Sequence, residues 1–219
     1  MRNWFRYLTY LFVFVWVSVA HSGSYDDFFS AIQNDNVSVM RGLLAQGFDP
    51  NTLGPGGDSG LLKAIREPSF KAIDLLLEHP QTRVELRNSK DESPLMLAAL
   101  KGYLIVCQKL IARDADVNKP GWSPLHYAAT GGHTAVMQLL LDHYAYIDAA
   151  SPNGSTPLMM AAGYGSLDAV KLLLDAGADA RLKNDRGLTA IDFATQAQRD
   201  DAVALIAGAI RKRNSKNGW

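Results

Sequence analysis

Ser123-Pro124-Leu125-His126-Tyr127-Ala128-Ala129 is the stretch on which the fold turns. A serine or threonine ahead of a proline opens a helix. Its hydroxyl caps a free N–H, and the proline takes the first helical position, where a missing N–H costs nothing. Working outward, Ser93-Pro94-Leu95 lies 30 residues earlier and Thr156-Pro157-Leu158 lies 33 later; a further 33 reaches Thr189-Ala190-Ile191, a decayed copy. At one fixed offset behind these heads stand Ala98-Ala99, Ala128-Ala129, Ala161-Ala162 and the single Ala194. Gly102, Gly132 and Gly165 follow, and then the aliphatic blocks Leu110-Ile111, Leu139-Leu140-Leu141 and Leu172-Leu173-Leu174. Toward the amino terminus, Ser59-Gly60-Leu61, Ala64 and Leu75-Leu76-Leu77 form a copy shifted by 34, and Ala31, Leu43-Leu44 and Gly47 form a first one.

About six units thus cover residues 25–210. The alanines are small enough for neighbouring helices to approach closely, and the leucine block is the buried face of a second helix. The glycine after each alanine pair is expected to end the first helix in a conformation open to a residue without Cβ; Gly47 and Gly177 do the same for the second. Asp, Asn and Gly then form a turn before the next unit. Each unit buries little alone, whereas a stacked neighbour covers its apolar stripe at about 25 cal/mol per Å². The expected fold is all-α: a solenoid of helix-turn-helix units joined by short β-finger turns.

The pattern resembles the ankyrin repeat family, whose signature T-P-L-H-x-A-A recurs near every 33 residues. The 123–129 stretch is the nearest copy, Gly177-Ala178-Asp179 matches the helix-exit G-A-D, and Asp116-Val117-Asn118 matches the D-V-N of the finger. The likeness is looser in the first, second and last units. Asp26, Asp27, Gln33, Asn34 and Asp35 make the first polar, and Arg199, Asp200 and Asp201 the last, as capping repeats that meet water require. The resemblance implies that His126 bonds between neighbouring repeats, and that partners lie against the finger tips and the exposed side of the first helices.

Composition narrows the function. The 219 residues carry 22 basic and 22 acidic side chains, which argues against a nucleic-acid binder with a broad basic face. One cysteine, Cys107, excludes an internal disulfide framework and a cysteine-rich zinc site. Arg2 and Arg6, the uncharged stretch Tyr7 to Ala20 and the small residues Ser18-Val19-Ala20 have the three parts of a secretory signal. Residues 1–20 are read as that signal, 21–210 as the repeat domain and 211–219 as a basic carboxy-terminal tail. The alternative for the first segment is an uncleaved anchor helix, although it falls short of the roughly 20 residues that span a bilayer comfortably. Asn36-Val37-Ser38 and Asn153-Gly154-Ser155 are glycosylation sequons, relevant only in a eukaryotic secretory pathway.

Departures from the period carry their own expectations. Only Lys119-Pro120-Gly121 separates Asn118 from Trp122, so this finger is shorter than its neighbours. Residues 52–58 form a glycine-rich tip. At the exit-glycine position stand Pro80, Asp114 and Tyr144; Pro80 requires another route out of its helix, and Tyr144 is strained if its φ is positive.

Other chemistry falls away. Gly57-Asp58-Ser59-Gly60 has the residues that surround a trypsin-like nucleophile, but Ser59 sits at a helix cap with no accompanying protease motif. His126 and His133 belong to different parts of one unit and make no metal pair, and Cys107 aligns with the inner-face positions Met137 and Val170. No cofactor is implied. By offset from the repeat heads, the candidate partner-binding residues are Trp122 and Tyr164 as aromatic anchors, with Glu92, Lys101, Arg66, Glu67, Arg186 and Leu188 around them; Leu100 and Thr130 fall at the same first-helix offsets. The expected function is a monomeric, non-catalytic scaffold that binds a protein in an exported, periplasmic compartment and touches membrane only through its targeting segment. Alternatives are a membrane-anchored scaffold and, as the resemblance implies, an inhibitor or immunity protein or an oxidative-stress accessory protein.

Overall fold

The structure, a computed structural model, describes residues 23–217. The segment read as a targeting signal lies outside the described residues. Two compact units divide at Lys90. The first contains α1 (residues 23–33), α2 (Val37–Ala45), α3 (Gly60–Arg66) and α4 (Phe70–Glu78). The second contains four helix pairs: α5 (Pro94–Lys101) with α6 (Leu104–Ile111), α7 (Pro124–Gly131) with α8 (Thr134–Asp142), α9 (Pro157–Tyr164) with α10 (Leu167–Asp175), and α11 (Ala190–Gln196) with α12 (Asp200–Asn217). The all-helical repeat expected from the sequence is what forms. Helix α12 runs on through the basic segment read as a tail.

The helix heads form for the reasons their sequences give. Ser59, Ser93, Thr156 and Thr189 each accept the backbone N–H three residues on, at 3.3 to 3.4 Å. At the heads of α5, α7, α9 and α11 the third residue returns the bond. Met96 and Met159 accept from their caps through Sδ at 3.4 Å, His126 through Nδ1 at 3.2 Å and Asp192 through a carboxylate oxygen at 2.7 Å. Behind them Ala98, Ala99, Ala128, Ala129, Ala161, Ala162 and Ala194 have no exposed surface. In the second unit α5 packs on α7, α7 on α9 and α9 on α11, so the alanines bring successive first helices into contact.

The second helices bury one stripe each. Met137, Leu140, Val170, Leu173 and Cys107 are fully buried, and burial pushes the Cys107 thiol up to about 12. In α4 the whole Leu75-Leu76-Leu77 block is buried, whereas in α8 and α10 only Leu140 and Leu173 of each triplet are; the flanking leucines are half-buried or lie at the edge of the stripe. In place of regular strands, the fingers have single hairpin bonds, including an isolated bridge between Leu53 and Ser59.

One glycine expectation and one surface expectation need correction. Gly102 and Gly132 end their helices at φ 71° and 69°, as expected, but Gly165 has φ −84°. Gly165 is needed for closeness instead: a Cβ there would lie 2.2 Å from the Ala129 carbonyl oxygen of the preceding repeat. Arg199, expected on the solvent face, reaches back to the Ala161 and Ala162 carbonyls at 2.8 and 2.9 Å. It shares this task with His133, whose Nε2 meets the Leu100 carbonyl at 2.9 Å, and with Ser166, whose hydroxyl donates to Gly132 at 3.2 Å. Positions 133, 166 and 199 thus satisfy the carbonyl end of the previous first helix with three different side chains.

Candidate protein-binding surface

Fingers hold one another through their asparagines. Asn51 donates to the Gln81 carbonyl at 2.9 Å and accepts from the Arg83 N–H at 2.8 Å. In the second unit, Asn118 repeats this with Tyr144 and Tyr146, both at 2.8 Å. The clamped segment includes Tyr144 at φ 62°, left-handed as Gly47 and Gly177 are, with its ring 85% exposed. The strain anticipated from the sequence is therefore present, and Tyr146 is exposed beside it. The second repeat, in the first compact unit, leaves α4 with His79 extended, at φ −74° and ψ 123°, the other route that Pro80 requires.

His126 forms the centre of the second unit's first-helix row. Its Nδ1 accepts from the Ser123 N–H, so the proton sits on Nε2, which donates to the Ser155 carbonyl of the next repeat at 2.9 Å. The expected bond between repeats is present. Burial holds the imidazole neutral, its pKa lowered to about 4 against the pull of that carbonyl. Ser59, 2% exposed, is committed to capping α3.

Trp122 lies edge-on to the His126 ring, with centroids 5.3 Å apart and planes at 78°. With Leu100, Tyr127, Thr130 and Met160 it lines an apolar groove of about 230 Å³. The short finger explains the opening: three residues fewer ahead of Trp122 leave less chain to overhang the first helices. Tyr164 is 66% exposed one turn beyond Met160 on the same face of α9, which extends the apolar surface. Glu92 accepts a long bond from the Tyr127 hydroxyl at 3.5 Å, and Lys101 is exposed next to Leu100. Arg186 is exposed and Leu188 half-buried in the finger before α11.

Arg66 and Glu67 belong to the first unit. They border a hollow of about 450 Å³ with Phe29, Gly54, Pro55 and Lys63, and each has an ionic partner there: Arg66 with Asp58 at 2.6 Å and Glu67 with Lys63 at 2.9 Å. Sequence reasoning missed Tyr127, Met160 and Lys119. The first two share one offset, three residues after the helix-opening proline, but so does Leu97, which is buried; the offset alone could not have separated them. Among the described residues no helix is long and apolar enough to cross a membrane, and no cluster of His, Cys, Asp and Glu could hold a metal ion.

Paired helices, capped Ser/Thr-Pro heads, clamping asparagines and a histidine bonded across repeats define a class of stacked-repeat protein. A family model described as "Ankyrin repeats (3 copies)" matches residues 28–120, 62–151, 106–184 and 125–217, and the chain belongs to this family. Ankyrin repeats generally serve as protein–protein interaction scaffolds and are typically non-catalytic. Among curated proteins, the chain is 35% identical over 123 residues to ankyrin repeat and SAM domain-containing protein 6 of Mus musculus, covering 52% of this chain and 14% of that protein. It is 38% identical over 72 residues to the 2-5A-dependent ribonuclease of Mus musculus, covering 31% and 10%. It is 30% identical over 134 residues to the nuclear factor NF-kappa-B p105 subunit of Gallus gallus, covering 58% and 14%. The chain therefore spans a small fraction of the length of these relatives.

Proposed function

We propose that this protein is a monomeric, non-catalytic scaffold of an exported compartment, a bacterial periplasm in the first instance, that captures a protein partner through the Trp122 groove. The observation that carries the reading is the apolar groove beside the short finger, continued by the exposed ring of Tyr164. At about 230 Å³ it is smaller than the roughly 300–1,000 Å³ of small-molecule clefts and suits side chains presented by another protein. Its aromatic lining is of the type that dominates binding hot spots. Export rests on the sequence of residues 1–20, and the mature chain should then begin at His21. A balanced net charge gives no reason to invoke nucleic acid.

The test is a photocrosslinker placed at Thr130, with capture from the native exported fraction. Wild type should trap a defined protein. Trp122→Ala and Tyr164→Ala should weaken binding by about 2 kcal/mol each, roughly thirtyfold, while remaining folded. Equal capture by folded Trp122→Ala would end the groove reading. A mature protein that keeps residues 1–20 would replace export with membrane tethering.

A further inference from the structure

The wall of the groove stands on a finger built differently from three of its counterparts. In three fingers the carbonyl of the residue two places before the first residue of the following helix accepts a backbone N–H from across the turn. The pairs are Gly54 to Asp58 at 2.8 Å, Ser151 to Ser155 at 3.0 Å and Asn184 to Leu188 at 3.0 Å. In the short finger the equivalent carbonyl is that of Trp122. It is met instead by the ammonium of Lys119 at 3.4 Å, which also donates to the Pro120 carbonyl at 3.1 Å and pairs with the Asp91 carboxylate. The Lys119 side chain is 2% exposed, a placement lysine seldom takes unless its charge is paired.

We infer that Lys119 is a positioning residue for partner binding: its ammonium replaces the hairpin's backbone donor and holds Trp122 against His126 as one wall of the groove. This rests on reading the groove as the partner site. A neutral side chain of the same length would leave the Trp122 carbonyl without this donor and free the Pro120-Gly121-Trp122 turn to swing. Lys119 would then govern binding without touching the partner.

The experiment uses the full chain labelled with 5-fluorotryptophan and read by ¹⁹F NMR. The resonance missing from Trp122→Phe identifies Trp122. In Lys119→Met that resonance should move toward its position in the urea-unfolded chain and become more sensitive to exchange of H₂O for D₂O, with helix content by circular dichroism unchanged. Lys119→Arg, which keeps cationic donors, should return it most of the way. An unmoved Trp122 resonance in folded Lys119→Met would overturn the inference. Should Lys119→Met not fold, Asp91→Asn is read in its place. Loosening the ammonium from outside should displace the resonance less but in the same direction, and no displacement would again overturn the inference. Partner capture is scored separately. A moved resonance with full capture keeps the positioning role and defeats the groove as the partner site; an unmoved one with reduced capture does the reverse.

Discussion

His126 has no exposed surface and both ring nitrogens engaged, so protonation would place a second N–H where Nδ1 now accepts one. Its pKa, lowered to about 4 from an ordinary 6.5, means that the unfolded chain binds the proton more readily between those values. Stability is therefore full above pH 6.5 and declines as the pH falls toward 4, by about 3 kcal/mol in all at 1.36 kcal/mol per pH unit. Urea unfolding at several pH values should show this slope. His126→Gln keeps a donor near the Ser155 carbonyl but cannot titrate, so it should flatten the curve between pH 5 and 6.5; an unchanged slope would assign the acid sensitivity elsewhere. Tyr144 is a second single-residue case. Left-handed backbone costs a non-glycine residue on the order of 1–3 kcal/mol. Tyr144→Gly relieves that strain and loses little packing from a ring 85% exposed, against the roughly 0.5–1 kcal/mol of backbone entropy that glycine loses on folding. The net expectation is a gain of about 0.5–1 kcal/mol, measured as a higher urea midpoint with unchanged slope.

At the scale of the element, the clamps between fingers show what a local pattern can and cannot say. Asn51 and Asn118 each join a carbonyl and an N–H of the next repeat. The same place in the following finger is Asp148, which accepts the Asp179 N–H at 3.1 Å but, as a carboxylate, has no donor for the equivalent carbonyl, that of Gly177. Burial, assisted by the Asp179 carboxylate, raises the Asp148 pKa, so its charge disfavours folding at neutral pH. Asp148→Asn should add about 0.5–1.5 kcal/mol near pH 7. The gain should shrink as the pH falls through the carboxylate range, where Asp148 takes up a proton itself, and a gain independent of pH would refute the donor explanation. The helix heads were legible because a Ser/Thr-Pro cap, its returning third residue and an alanine pair all fall within about two turns of one helix. The period also placed Trp122, Leu100 and Thr130 beside one another. It could not give the reason for Gly165, whose small size is demanded by a carbonyl 36 residues earlier. Nor could it show that Lys119 turns inward, since that depends on a backbone donor the shortened finger does not supply. Long-range contacts of this kind have no local signature.

At the scale of the whole molecule, each helix pair of residues 91–217 packs on its sequence neighbours, so stability there should be close to a sum of unit and interface contributions. The same loss of methyl groups should then have different consequences at different positions. Leu140 is fully buried in α8, which packs on α6 and α10, and α7 of the same pair lies between α5 and α9. Leu140→Ala should cost about 2–5 kcal/mol. Because both adjoining interfaces depend on that pair, amide protection should fall from α5 through α10. Ile206 is equally buried, but in α12, whose packing partners are α10 and α11. Ile206→Ala should cost a similar amount locally and let the last pair open while α5 to α9 stay protected, a sub-global opening of the kind native-state hydrogen exchange resolves. Uniform loss of protection across residues 91–217 in both variants would mean that the pairs unfold as one cooperative block. In that case the repeating sequence would describe how the unit is built without describing how it comes apart.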